Sequence, residues 1–67
     1  MIKADVFSVG TNSTDSHLTH MLNDALVHVQ EHGGKVVRVE TAAAHGMFLF
    51  TVLYDDMGHN ISEREDA

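Results

Sequence analysis

A chain of 67 residues makes one domain with a marginal core, because a domain near 60 residues buries only about 60% of its unfolded surface. It has no cysteine, which excludes a disulfide supplement, a thiolate nucleophile and Cys-ligated zinc. Ten acids against four Lys and Arg give a formal charge of −6, which disfavours nucleic acid and anionic membrane as partners.

Met1-Ile2-Lys3 leads into Ala4-Asp5 with no apolar signal-peptide segment, so the expectation is a soluble, cytoplasmic protein. Ile2 to Val9 alternates and predicts a first strand. Ile2, Ala4 and Val6 share one face; Lys3, Asp5, Phe7 and Val9 share the other. Gly10 to Thr14 is a turn that opens a helix, with Thr14 or a neighbour as cap and Asp15 at the positive end of the dipole. The helix runs to about His32. Leu18, Met21, Leu22, Ala25, Leu26 and Val29 form one apolar stripe, with Val27 off it, and Gly33-Gly34 ends the helix.

Lys35 to Thr41 predicts the second strand, with Val37, Val39 and Thr41 on one face and Val36, Arg38 and Glu40 on the other. Ala42 to Gly46 reads as a hairpin loop. Met47 to Tyr54 is the densest apolar run of the chain and predicts a strand covered on both faces: Phe48, Phe50, Val52 and Tyr54 on one, Met47, Leu49 and Leu53 on the other. Asp55 to Gly58 ends it. From Asp55 to Ala67 there are five acids and one base, and residues 57–67 read as an acidic, flexible tail.

The expected architecture is therefore α+β in β-α-β-β order, a single domain over residues 1–56. A three-stranded mixed sheet has strand three in its centre and one helix on one face. The helix covers one side only. Phe7, Val9, Val36, Leu49 and Leu53 are expected on the other side, as an interface through which the chain forms a homo-oligomer.

Candidate chemistry is sparse. Six histidines are many for this length, and their full protonation would bring the formal charge from −6 to 0. His17, His20, Asp24, His28 and Glu31 flank the apolar stripe. His20, Asp24 and His28, spaced i, i+4, i+8, are the candidate metal ligands, since side chains four apart meet over one helical turn and imidazole with carboxylate suits Zn, Ni or Fe. A solvated polar face explains the same residues. No Ser sits in a G-x-S-x-G frame, and Gly10-Thr11-Asn12 lacks both the G-x-G-x-x-G and the P-loop patterns. Catalysis is therefore not expected, and no cofactor is assigned.

Met1-Ile2-Lys3 followed by Phe7, the helical Leu18, Asn23 and Leu26, the strand Val36-Val37-Arg38-Val39 and the closing Phe50-Thr51-Val52-Leu53-Tyr54-Asp55 resemble a family of very small bacterial proteins that includes a sporulation-controlled protein. The resemblance covers residues 1 to about 55 and implies no established activity. That family's helices are rich in Glu and Lys, where this one is rich in His. The length, the strand order and the segment Val9-Gly10-Thr11-Asn12-Ser13 are also similar to dodecin, whose resemblance implies a hollow assembly that stacks flavin on tryptophan. This chain has no Trp, so no flavin-contacting residue carries over. The function expected is a small oligomeric interaction or structural protein. The alternative is a flavin or metal binding or storage protein with its site between subunits.

Overall fold

The computed structural model describes residues 1–62 and contains β1 (Ile2–Gly10), α1 (Asp15–Glu31), β2 (Lys35–Ala44) and β3 (Met47–Asp55). The fold is α+β, with one sheet in the order β1-β3-β2 and β3 in the centre. β3 pairs antiparallel with both neighbours. Ile2 to Gly10 stand opposite Asp55 to Met47, and Lys35 to Ala44 stand opposite the same strand from the other side. β1 and β2 are parallel to one another but never adjacent, so the sheet expected to be mixed holds antiparallel pairs only.

The helix begins and ends by local chemistry. Thr14 is extended, and its Oγ1 accepts a hydrogen bond from the His17 N–H at 3.2 Å, which satisfies one of the unpaired donors of the first turn. At the other end Gly33, at φ 85°, donates to the Gln30 carbonyl, and Gly34 donates to that of Val29. This paired closure needs a left-handed residue that glycine adopts without steric cost.

Successive strand residues point to opposite faces, so register decides what meets α1. The apolar stripe of α1 lies along β2 and β3. Met21, Leu22 and Leu26 pack there against Phe7, Val52, Phe50, Val36 and Val39, with Ala25 fully buried between them. Phe7 stands opposite Phe50, and their rings stack at 5.2 Å between centroids. Phe7 and Val9, 6% exposed each, are thus core residues. They do not lie on the open face, where the sequence pattern led us to expect them. Both faces of β1 carry apolar side chains, and the aromatic row of β3 selects the face that holds Phe7. Lys3 and Asp5 share that face because α1 runs over β2 and β3, so the β1 margin is less covered.

A bulge in β2 corrects a second expectation. The register slips between Val36 and Arg38, leaving Val37 as the extra residue, 57% exposed. Val36, opposite Tyr54, and Val39, opposite Val52, therefore share the helix-covered side, and Val36 leaves the proposed interface set. β2 also continues to Ala44. The hairpin turn is only His45-Gly46, with φ of 53° and 73°. Two left-handed residues form the turn whose twist matches the strands it joins.

The chain after β3 is not uniformly exposed. Met57 and Gly58, at φ 54° and 81°, turn it back, and the His59 N–H donates to the Asp56 carbonyl at 2.8 Å. Ile61 then enters the core between Val29 and Tyr54. An added Cβ on Gly34 would stand only 2.7 Å from Ile61 Cδ1 and 2.8 Å from Val29 Cγ1. Glycine there admits the isoleucine. The expected flexible tail thus includes a packed segment as far as Ser62, while residues 63–67 lie outside the described residues. We expect Ile61→Ala to lower unfolding free energy by about 2–4 kcal/mol, and Val27→Ala, on the exposed side of α1, by under ~0.5 kcal/mol. Urea denaturation followed by circular dichroism measures both; equal effects would show that Ile61 is not part of the core.

Candidate functional site

Two places on the molecule concentrate side chains that the fold itself does not use up. The first is the sheet face opposite α1. Strand parity puts Ile2, Ala4 and Val6 of β1 there, with Met47, Leu49, Thr51 and Leu53 of β3 and Ala42 and Ala44 of β2. Ile2 is 57% exposed, Val6 53% and Leu49 44%, while Leu53 is half-buried. Of the five interface residues expected from the sequence, Leu49 and Leu53 lie on this face and Phe7, Val9 and Val36 do not. Ile2, Ala4 and Val6 were missed; the register places them opposite Asp55, Leu53 and Thr51, on the same side as Leu49. Arg38 and Glu40 also point to this side and pair with one another on the outer strand.

The second place is the carboxyl-terminal end of α1, where the 56–62 segment crosses it. His28 Nε2 bonds the Ser62 carbonyl at 2.9 Å, and His32 Nδ1 bonds the His28 carbonyl at 2.8 Å. A carbonyl only accepts, so both ring nitrogens carry the proton. The two rings lie 4.5 Å apart, inclined by 41°. The His59 ring covers Gly33: a Cβ there would lie 2.6 Å from its Cδ2.

This arrangement differs from the ligand set expected from spacing. His20 and Asp24 are exposed, and His28 is turned to the carboxyl-terminal segment. Among the described residues no three His, Asp or Glu side chains come together to hold a metal ion. His32 stands four residues after His28, at the same helical spacing, and was missed although that repeat offers it; the place of His59 over Gly33 depends on the turn after β3.

A charged network anchors the same segment. The Asp56 carboxylate accepts from the Gly58 N–H at 3.0 Å, from the Met1 ammonium at 3.1 Å and from Lys3 Nζ at 3.1 Å. Asp55 accepts from the Met57 N–H at 2.9 Å and from the same ammonium at 3.0 Å. The Gly58 N–H, then the ammonium and Lys3, hold the Asp56 carboxyl well below the usual carboxylate range. The Met57 N–H and the ammonium lower that of Asp55. These bonds stabilise the left-handed Met57, a conformation that costs a non-glycine residue about 1–2 kcal/mol.

No known protein family matches the sequence, and neither a curated protein nor a solved structure is significantly similar to the chain. No helix among the described residues is long and apolar enough to cross a membrane.

The Asp56 network sets a pH dependence. A carboxyl with a depressed folded pKa contributes stability that is complete above its ordinary value, about 3.9. That contribution is lost as pH falls through the ordinary value towards the folded one. Asp56→Asn should therefore be less stable than the parent at pH 7 and should lose less on going from pH 5 to pH 2. Urea midpoints at the two pH values test this. Parallel curves for the two proteins would show that Asp56 carries none of the acid sensitivity.

Proposed function

We propose that this protein is a self-associating structural module of the cytoplasm, without catalytic chemistry of its own, in which two copies bury their open sheet faces against each other. The observation that carries the reading is the row of exposed aliphatic side chains, Ile2, Val6 and Leu49, on the side of the sheet that α1 leaves bare. The internal core is small: among the described residues only Ala25, Val29 and Val52 are wholly removed from solvent. Chains of this size commonly supplement their core by association.

The face favours a second copy over a charged partner. Its apolar centre is flanked by the Arg38–Glu40 pair on one side and by Lys35 and Asp55 at the Ile2 end, so it carries balanced charge at its rim and no single-sign patch for a partner to recognise. Arg38 and Glu40 lie on an edge strand, where they stay at the solvated rim and escape the cost of burying an ion pair.

Size constrains the geometry. Three strands of about nine residues make a face roughly 30 Å by 14 Å. A stable interface buries about 800 Å² per partner. A face of this footprint approaches that figure only when it is covered almost completely. The two sheets therefore pack in aligned fashion, about 10 Å apart with strands crossing near 30°. A twofold axis through the sheet centre brings the Thr51 side chains of the two copies together.

Light scattering on a sizing column should return twice the chain mass of 7.4 kDa. Leu49→Asp should halve it while the far-ultraviolet spectrum is retained, because Leu49 is already 44% exposed in the single chain. Phe7→Asp, by contrast, places a charge in the core and should unfold the protein. A dimer that survives Leu49→Asp would mean that the copies meet elsewhere.

A further inference from the structure

We propose that His28 and His32 chelate one divalent transition-metal ion that imidazole favours, such as Cu(II) or Ni(II), through Nδ1 of His28 and Nε2 of His32. The observation is the state of the two rings. Each has one nitrogen committed as donor to a backbone carbonyl, Ser62 for His28 and His28 for His32. In the neutral form of each ring the opposite nitrogen carries the in-plane lone pair. Metal-binding histidines are held in this way, the second nitrogen donating to a carbonyl or carboxylate that fixes tautomer and ring orientation. Here that support exists in the protein itself.

The spacing suits a chelate. With a metal–nitrogen bond of about 2.0 Å, an imidazole centroid lies about 3.1 Å from the metal, so two rings on one ion stand about 4–5 Å apart. The two rings lie 4.5 Å apart. Imidazole suits Cu, Ni and Zn, and among divalent first-row ions Cu(II) is bound most tightly by a given site. Electrostatics favours a cation at this point. The carboxyl end of α1 is the negative pole of the helix dipole, and the chain carries a formal charge of −6. Two protein ligands leave the remaining positions to water, so the site is an open chelate, weaker than a closed structural centre.

The site differs from the i, i+4, i+8 set His20, Asp24 and His28, and it depends on the carboxyl-terminal segment. The Ser62 carbonyl that fixes the His28 tautomer is carried by the segment that Ile61 anchors. Bound metal should therefore hold that segment down.

Titration of the full chain with Ni(II) chloride at neutral pH, followed by nuclear magnetic resonance of the imidazole groups, tests the proposal. Paramagnetic broadening should begin at the rings of His28 and His32, with the thermal midpoint rising as metal is added. His32→Gln removes an exposed ring and should weaken binding about 10-fold or more. His20→Gln should leave it unchanged. His28→Gln tests the second ligand, with circular dichroism to confirm that the chain is folded. The proposal is overturned if His32→Gln titrates like the parent, if His20→Gln loses binding, or if broadening starts at the Met1 amino group or at His17 and His20.

Discussion

The contact between the apolar stripe of α1 and the aromatic row of β3 organises the molecule. Phe50, Val52 and Tyr54 line one side of the central strand. The stripe that ends in Ala25, Leu26 and Val29 is laid along them. The position of the helix then decides every other assignment. Phe7 and Val9 are core because they stand opposite Phe50 and Phe48. Val36 and Val39 join them once Val37 is extruded from the ladder. A single helix has one such stripe, whereas a sheet has two faces, so the second face of β3 keeps Leu49 and Leu53 towards solvent. The polar network and the carboxyl-terminal segment close the open end of this contact, where Ile61 completes what α1 alone leaves uncovered beside Tyr54.

Much of this was legible in the sequence. The stripe from Leu18 to Val29, the Thr14 cap, the Gly33-Gly34 stop and the central place of β3 all follow from patterns with a direct physical cause. What was not legible shares a different cause. The two faces of β1 are nearly balanced in apolar content, so local pattern could not tell whether Ile2, Ala4 and Val6 or Phe7 and Val9 meet the helix. The choice is made by partners 43 residues away in the chain, as Phe7 opposite Phe50 shows. The bulge at Val37 has no marker in Lys35-Val36-Val37-Arg38-Val39. The extension of β2 through Ala42-Ala43-Ala44 runs against alanine's weak strand preference. It is carried by pairing with Phe48 and its neighbours. His45 in a left-handed turn position has no strong sequence signal either, since histidine is only somewhat enriched there.

The candidate sites divide in the same way. The histidine richness of α1 was visible, but helical spacing pointed to His20, Asp24 and His28. The next pair at that spacing, His28 and His32, meets at the helix end, and the return of the chain after β3 adds the Ser62 carbonyl and lays His59 over Gly33. A single apolar residue in a polar stretch, Ile61, is a faint sign of that return. Its meaning emerges from Gly34, whose missing side chain makes the space it occupies. The Asp55-Asp56 pair reads as a strand terminator in the sequence. In the fold it also binds the first residues of β1 to the turn that launches the carboxyl-terminal segment, so both termini of the described chain are secured at one end of the sheet.

The extruded Val37 also governs what the free edges of the sheet offer to a strand from outside. β1 and β2 are the two outer strands and run parallel to each other. A simple translation would therefore lay the free edge of β1 against the free edge of β2 in the next molecule, and that head-to-tail pairing does not close. Repeated, it would yield a filament of indefinite length. β1 is regular over its nine residues and gives no protection against this. β2 does, because a bulge disrupts the ladder and twists the edge away from an incoming strand. One inserted residue on one edge thus disfavours open-ended pairing through that edge.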